Sequence, residues 1–211
     1  TSRALDLTLR KRVGMVTGSL TLFHHRFDGF IYEQPNGLFA VEHDGALEFV
    51  SADDEEAEEG LAVYRYVQRD AQFQGAELEV VIHLHDEAHS QLDLMLGGDL
   101  VRADERQTNI HLPRITPARA KLGLQWARDS LVLGSEVQFV GSQNRTAPMT
   151  DGYELISASL SYRLPLGNQV VTLFARGSNL TNQEARAHTS FLKEVAPLPG
   201  RNLNLGVRYS F

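Results

Sequence analysis

Hydrophobic and polar residues alternate along most of the chain. Near the C-terminus, Leu203, Leu205 and Val207 alternate with Asn204 and Arg208. The same period of two recurs in segments of about ten residues, which is typical of β-strands with one apolar and one polar face. The alternation predicts nine strands, at residues 4–12, 15–27, 65–84, 91–102, 116–126, 131–140, 153–164, 169–178 and 202–211.

The connections between these strands alternate in length. The short ones are residues 13–14, 85–90, 127–130 and 165–168, and the long ones are residues 28–64, 103–115, 141–152 and 179–201. Barrels that cross the bacterial outer membrane have short turns on one side and long loops on the other. No segment approaches the roughly 20 apolar residues that a membrane-spanning helix needs. The pattern therefore predicts an all-β protein, a transmembrane antiparallel β-barrel in contact with outer-membrane lipid.

The strand count and the chain ends predict a portion of a larger barrel. Single-chain bacterial barrels usually have an even number of strands, whereas this chain has about nine and opens inside one. No signal peptide is visible at the start. If Phe211 ends at the periplasmic side, the long connections face outside, including residues 28–64, His111 and His188. The same orientation places His83, His85 and His89 at the periplasmic rim.

Charge is unevenly distributed along the chain. Residues 28–64 contain eleven of the 27 acidic residues and none of the 20 lysines and arginines. Phosphate contacts need clustered cations, so nucleic acid is not an expected partner, and a cationic ligand fits better. There is no cysteine, which excludes disulfides, thiolate metal sites and cysteine nucleophiles. We predict that residues 28–64 form an acidic extracellular loop, in which residues 53–59 are solvated and flexible.

Two C-terminal segments resemble TonB-dependent outer-membrane receptors. Gly177–Gln183 is similar to the family's "D/N-Leu-x-Asn" segment, and Pro199–Phe211 is similar to its "P-G-R" loop and closing strand. The resemblance implies that residues 1–211 are the C-terminal portion of a 22-stranded barrel, without the plug domain. It also implies two partners: the TonB-ExbB-ExbD energy-coupling complex, acting through the missing N-terminal part, and the barrel-assembly machinery, which reads the closing strand.

Three further segments resemble the zinc-uptake branch of that family. They are Thr21–Tyr32 with its paired histidines, Tyr66–Glu77, and Ala187–Lys193, which is similar to an "A-H-x-S-F-L" loop. The resemblance implies a transport receptor rather than an enzyme, with no required cofactor and with zinc ion as the transported ligand.

Imidazole and carboxylate groups are good zinc ligands. His24 and His25 are adjacent on a strand, so their side chains point to opposite faces and cannot share one ion there. We expect one of the two to face the lumen and the other to pack at the membrane interface. His188 lies in the last outer loop, inside a segment that resembles the family. The predicted metal ligands are His188, His25, His24, His43, Asp44 and His111.

Three alternatives remain open at the level of sequence. A receptor for a siderophore, haem or cobalamin would favour aromatic or cationic loop tips, whereas the largest loop here is acidic. A nonspecific porin or adhesin barrel would have no plug upstream of Thr1. A soluble β-sandwich would bury the face formed by Leu92, Leu94, Leu96 and Leu100 against a second sheet.

Overall fold

The computed structural model describes residues 1–211 and contains one ten-stranded antiparallel sheet. A single 3₁₀ turn, Glu55–Glu58, is the only helical element. No helix is long and apolar enough to cross a membrane. The strands are β1 (Ser2–Lys11), β2 (Val16–His43), β3 (Ala46–Ser51), β4 (Leu61–Glu87), β5 (Ser90–Glu105), β6 (Arg119–Arg128), β7 (Leu131–Val140), β8 (Tyr153–Leu166), β9 (Gln169–Ser178) and β10 (Asn202–Ser210).

The strands follow one another across the sheet in almost the same order as in the sequence. The order is β1-β2-β4-β5-β6-β7-β8-β9-β10, with β1 and β10 at the edges, and β3 pairs with the outer part of β2. Antiparallel neighbours joined by short turns make an up-and-down barrel wall. The predicted all-β antiparallel fold and its nine strands are confirmed, and β3 is an additional strand.

The sheet has one apolar and one polar face. Directly paired residues lie on the same face, so the pairing register shows which residues share a face. Leu20 pairs with Leu9 and with Leu78, whereas Thr21 pairs with Thr8 and Glu77. The apolar face carries Leu5, Leu7, Leu9, Leu20, Leu22, Leu78, Val80, Ile82, Leu94, Leu96, Leu100, Leu122, Leu124, Trp126, Leu133, Val137, Ile156, Leu160, Tyr162, Val171, Leu173, Leu203, Leu205, Val207 and Tyr209. The polar face carries Asp6, Thr8, Arg10, Ser19, Thr21, His25, Glu77, Glu79, Asp93, Asp99, Arg119, Lys121, Gln125, Glu136, Gln138, Ser157, Ser159, Ser161, Thr172, Arg176, Asn204 and Arg208.

No second layer covers the apolar face. Only 16 of the 211 residues are buried, and Leu100 and Leu205 remain 49% and 75% exposed. A β-sandwich would interlock two such faces into a core about 10 Å thick. This arrangement excludes the sandwich alternative, and the exposed leucines match the lipid-facing band of a membrane barrel.

The two ends of the sheet differ. We call the end with the short connections after β1, β4, β6 and β8 the turn end, and the opposite end the loop end. At the loop end, β2 and β4 run 28 and 27 residues, far beyond their neighbours. The predicted strands stop too early there because the alternation is interrupted: the register shifts between Phe27 and Phe30 and again between Pro35 and Phe39. Gly29, inside the first shift, has φ 73°.

The acidic segment is folded rather than an irregular loop. β2 turns into β3 through Asp44 and Gly45, which have φ values of 49° and 80°. Two consecutive residues with positive φ are what a tight two-residue β-hairpin requires, and Asp-Gly supplies them at low cost. The run 53–59, expected to be flexible, contains the 3₁₀ turn, which the Asp54 carboxylate caps by accepting from Glu56 N at 3.1 Å. We call residues 28–64 the acidic hairpin.

Candidate metal-binding site at the loop end

The long connections at the loop end contact one another. Arg114, in the 106–118 connection, has Nη1 2.6 Å from Glu33 Oε2 of the acidic hairpin. Its guanidinium carbon lies 3.0 Å above the ring of Phe191, in the 179–201 connection, and 5.5 Å from the ring centroid of Tyr64. A guanidinium can form an ion pair in its plane and stack on an aromatic face at the same time. Arg114 thus joins three connections.

Other polar contacts complete this arrangement. Arg106 Nη1 lies 3.0 Å from Asp28 Oδ1, and Tyr32 donates its hydroxyl to Glu105 Oε2 at 3.3 Å. Gln143 Nε2 donates to the carbonyl of Ile115 at 3.0 Å, which ties the 141–152 connection to the 106–118 connection. We call the four connected segments (28–64, 106–118, 141–152 and 179–201) the loop array.

His188 is buried inside the loop array. The residue is 3% exposed, with Nδ1 3.0 Å from Thr150 Oγ1 and Nε2 3.5 Å from Thr146 Oγ1. Burial, with a smaller contribution from the Lys193 charge, lowers the pKa of His188 to about 4, so the ring is neutral at pH 7. A neutral ring is the form that binds metal, but both nitrogens have hydroxyl partners, and ligation would require exchanging one of them.

Lys193 holds the same two connections together. Its Nζ donates to the carbonyl of Pro148 at 2.8 Å, and the residue is 5% exposed. Burial lowers the pKa of Lys193 from its usual value. The surroundings of His188 are therefore two threonine hydroxyls and a cation, without a carboxylate partner.

His25 lies on the polar face, just below the loop array. Its Nε2 is 2.9 Å from Asp6 Oδ1 on the neighbouring strand, and the two side chains are 31% and 53% exposed. The ring of Phe23 lies 5.3 Å away between centroids. His25 and Asp6 together offer an imidazole nitrogen and carboxylate oxygens on the polar face of the sheet.

His24 lies on the opposite, apolar face, as predicted from the parity of the strand. It pairs across the sheet with Leu5 and Gln74, and its Nε2 accepts a hydrogen bond from Arg26 Nε at 3.1 Å. The two adjacent histidines therefore lie in different environments, on opposite faces of the sheet, and cannot bind the same metal ion.

His43 ends β2 within the acidic hairpin. Its Nε2 lies 3.0 Å from Glu56 Oε2, and both side chains are about half exposed. The hydrogen bond and charge of Glu56 raise the pKa of His43, with a further contribution from Glu48. The pair borders an open depression of about 630 Å³ that is lined by Ala40, Val41, Glu42, His43, Leu47, Glu55, Glu56, Glu59 and Leu61. The neighbouring Asp44 forms the hairpin turn.

His111 is paired with the carboxylate of Asp104, with Nδ1 2.5 Å from Oδ1. A fourth such pair, His83 with Asp93, was not among the predicted ligands. His83 Nδ1 lies 2.7 Å from Asp93 Oδ1, and the two residues are directly opposite on β4 and β5 near the turn end. Both residues alternate with apolar residues in the sequence and therefore belong to the polar face. This alternation is the signal that could have indicated the pair.

The predicted ligands are not gathered around one point. The structure contains no group of three or more His, Cys, Asp or Glu residues arranged to hold a metal ion. Instead, His25, His43 and His111 are each paired with one carboxylate, whereas His24, Asp44 and His188 are not. Each pair supplies two ligands, half of a tetrahedral zinc site.

Comparison with known proteins places this architecture in a family. The family described as "TonB dependent receptor-like, beta-barrel" matches residues 1–180. The solved structure of the "Copper transporter OprC" matches with a TM-score of 0.74 and 20% sequence identity, over 100% of this chain and 31% of that chain. At this identity the similarity shows the fold, and this chain spans about a third of that transporter's length. The family match covers most of the chain, so the chain belongs to the TonB-dependent receptor-like β-barrel family of the bacterial outer membrane.

Proposed function

We propose that this chain forms part of the wall of a receptor that takes up a metal ion across the outer membrane, with zinc as the cargo. The observation that supports the proposal is the set of three histidine–carboxylate pairs at and below the loop end. These are His43 with Glu56, His111 with Asp104, and His25 with Asp6. Imidazole nitrogen with carboxylate oxygen is a donor set that Zn²⁺ prefers.

The acidic hairpin supports capture before ligation. Glu42, Glu55, Glu56 and Glu59 border the open depression beside His43. A depression lined by one sign of charge raises the local concentration of the opposite ion and its rate of arrival. In this proposal the loop end faces outside, the hairpin gathers divalent cations, and His43 with Glu56 makes the first specific contact.

A site with only two protein ligands suits the passage of a zinc ion better than its storage. A closed four-ligand cage holds zinc tightly, whereas a pair leaves coordination positions to water and allows release. His25 and Asp6 lie on the polar face below the loop array, where an ion descending from the loop end would meet them next. The route proposed here is a series of weak, exchangeable contacts.

The remaining steps depend on the rest of the receptor. We propose that a plug domain and the TonB-ExbB-ExbD complex, both outside residues 1–211, gate and drive the transfer. The barrel-assembly machinery would read the closing strand, and lipid would cover the apolar face. These partners follow from the family resemblance and complete the proposed function.

Zinc titration of the intact receptor by calorimetry tests the site. The variants are His43→Ala with Glu56→Gln, and His25→Ala with Asp6→Asn. The control is His89→Ala, which removes a more exposed histidine, 3.1 Å from Asp129, at the turn end. We expect each double variant to lower zinc affinity about tenfold or more, as a lost ligand pair costs well over 1.4 kcal/mol, and the control to bind as the wild type. Unchanged affinity in both double variants would contradict the site.

Copper(II) is a second candidate cargo. The structural similarity to a copper transporter favours it, and the same imidazole and carboxylate donors bind Cu²⁺. Affinity alone does not separate the two metals, because Cu²⁺ binds nearly any such site more tightly than Zn²⁺. Receptor-dependent accumulation of each metal in cells, at equal free concentrations, separates them. Accumulation of copper without zinc would replace zinc as the cargo while leaving the ligand pairs in place.

A further inference from the structure

Three arginines lie together on the apolar face at its loop-end edge. Arg3 on β1 pairs directly with Arg26 on β2, and Arg26 pairs in turn with Gln72 on β4. Arg102 on β5 pairs with Gln74, two residues along β4 on the same face. Neighbouring strands are about 4.8 Å apart, and β1 and β5 are three spacings apart, so the three arginines span roughly 14 Å across the sheet. We call Arg3, Arg26 and Arg102 the arginine patch.

None of the three guanidinium groups forms an ion pair within the protein. The oxygens of Asp28 bind Arg106 and the Thr1 hydroxyl, and Asp104 binds His111. Like charges directly opposite each other on neighbouring strands are destabilising, so the Arg3–Arg26 pair is unfavourable on its own. All three side chains are exposed. Their charge is therefore available to an anion from outside the chain.

The surroundings of the patch specify which kind of anion. The next residues toward the middle of the same face are Leu5 and Leu100, which are 71% and 49% exposed. In the outer membrane these leucines contact acyl chains, and long arginine side chains one row above them reach the headgroup layer. The anion that the arginines meet in the headgroup layer is therefore a lipid headgroup, whose acyl chains lie beside the leucines.

We propose that the arginine patch binds the phosphate groups of an anionic lipid headgroup in the leaflet at the loop end. Arginine matches phosphate with two parallel N–H donors. His24 supports this geometry, because its Nε2 accepts from Arg26 Nε at 3.1 Å and leaves the two terminal nitrogens of Arg26 unoccupied by that contact. The identity of the leaflet rests on the proposed orientation, whereas the binding itself does not.

The same face has no equivalent patch at the turn end. Lys11 and Arg128 are its exposed cations there, but they lie on β1 and β6, which are separated by three strands in the sheet. Two cations so far apart cannot hold one headgroup. Replacing Lys11 and Arg128 is therefore a matched control, because each substitution also removes one exposed positive charge from the edge of the apolar face.

The test uses the intact receptor in a nonionic detergent, with lipid A carrying both phosphates as the probe and native mass spectrometry as the readout. The variants are R3Q/R26Q/R102Q, R3K/R26K/R102K and the control K11Q/R128Q. Each cation near a charged headgroup contributes about a fivefold change in affinity, so we expect about a hundredfold loss in the glutamine variant. The lysine variant keeps most of the binding, and the control binds as the wild type.

Three outcomes would overturn the proposal. They are equal binding by the glutamine variant, an equal loss in the control, and equal binding of lipid A from which the phosphates have been removed. Inorganic phosphate separates the headgroup from a free anion, and we expect it to displace no lipid A at the same phosphate concentration. Metal uptake is measured in parallel. Loss of lipid binding with normal uptake supports the patch and leaves the proposed transport function standing independently.

Discussion

An arginine placed on the apolar face should destabilise the barrel far more than one placed on the polar face of the same strand. Leu124 and Gln125 are adjacent on β6 and lie on opposite faces. Leu124 is five residues from the strand start at Arg119, about 17 Å along the strand and about 13 Å in depth at a tilt near 40°. That depth is half of an apolar band about 25 Å tall, so Leu124 sits near the bilayer midplane.

At the midplane, Leu124→Arg should cost about 2–4 kcal/mol of folding free energy, a factor of about 30 to 1000 in the folded-to-unfolded ratio. Gln125→Arg should cost under about 1 kcal/mol, because its side chain lies opposite the Asp93 carboxylate on the polar face. Urea unfolding of the intact receptor from phospholipid vesicles, followed by the mobility shift of the folded barrel, measures both. Equal destabilisation by the two arginines would refute the assignment of the faces.

Three further predictions concern packing, the loop array and pH. Gly206→Ala should destabilise the barrel by about 1–3 kcal/mol, because a Cβ there would collide with the Phe174 ring, and Phe174→Leu should restore most of the loss in urea unfolding. Arg114→Ala should raise the rate of protease cleavage in the loop array about fivefold, and an unchanged rate would show that its contacts with Glu33 and Phe191 add no stability. The pKa of His188 is about 4 in the folded chain and near 6.5 when the ring is exposed. Because the unfolded loop binds the proton at the higher pH, the loop array should lose stability as pH falls from 6.5 toward 4. The hydrogen-exchange protection factors of residues 185–196, which correct for the slower intrinsic exchange at low pH, should fall over that range, and His188→Asn should remove the dependence.

The alternation of residues predicted nine of the ten strands and their faces, but not the loop-end extensions of β2 and β4. In a single-layer sheet each face contacts one environment along the whole strand, so apolar and polar residues alternate without interruption. Leu203, Leu205 and Val207 therefore lie together on the lipid-facing side, and this can be predicted without knowing the neighbouring strand. The same parity correctly separated His24 from His25. The strand β3 was missed although Asp44-Gly45 is a strong hairpin signal between two apolar runs. The density of acidic residues around it suggested a solvated loop instead.

The candidate site was less accessible to sequence reasoning. The partner of His25 is Asp6, 19 residues away, and the contact exists only because β1 and β2 pair in one particular register. The burial of His188 depends on Thr150 and Thr146, which are 38 and 42 residues away in another connection. Contacts between loops depend on how each connection folds over its neighbours, and no local pattern in the sequence encodes that.

The bulge at Gly29 separates the chain into two mechanical parts. Below it, β2 pairs without interruption with β1 and β4, and moving it breaks two ladders of hydrogen bonds. Above it, the acidic hairpin is tied to the remaining loops by a few side-chain contacts, chiefly Arg106 with Asp28 and Arg114 with Glu33. The partly exposed Arg106–Asp28 pair contributes about 1 kcal/mol or less, whereas the Arg114–Glu33 pair is mostly shielded from solvent. Opening of the barrel mouth by the hairpin therefore requires breaking the Arg114–Glu33 pair and unpacking Phe30 and Tyr32 from the cluster that contains Leu112, while the wall beneath it stays in register.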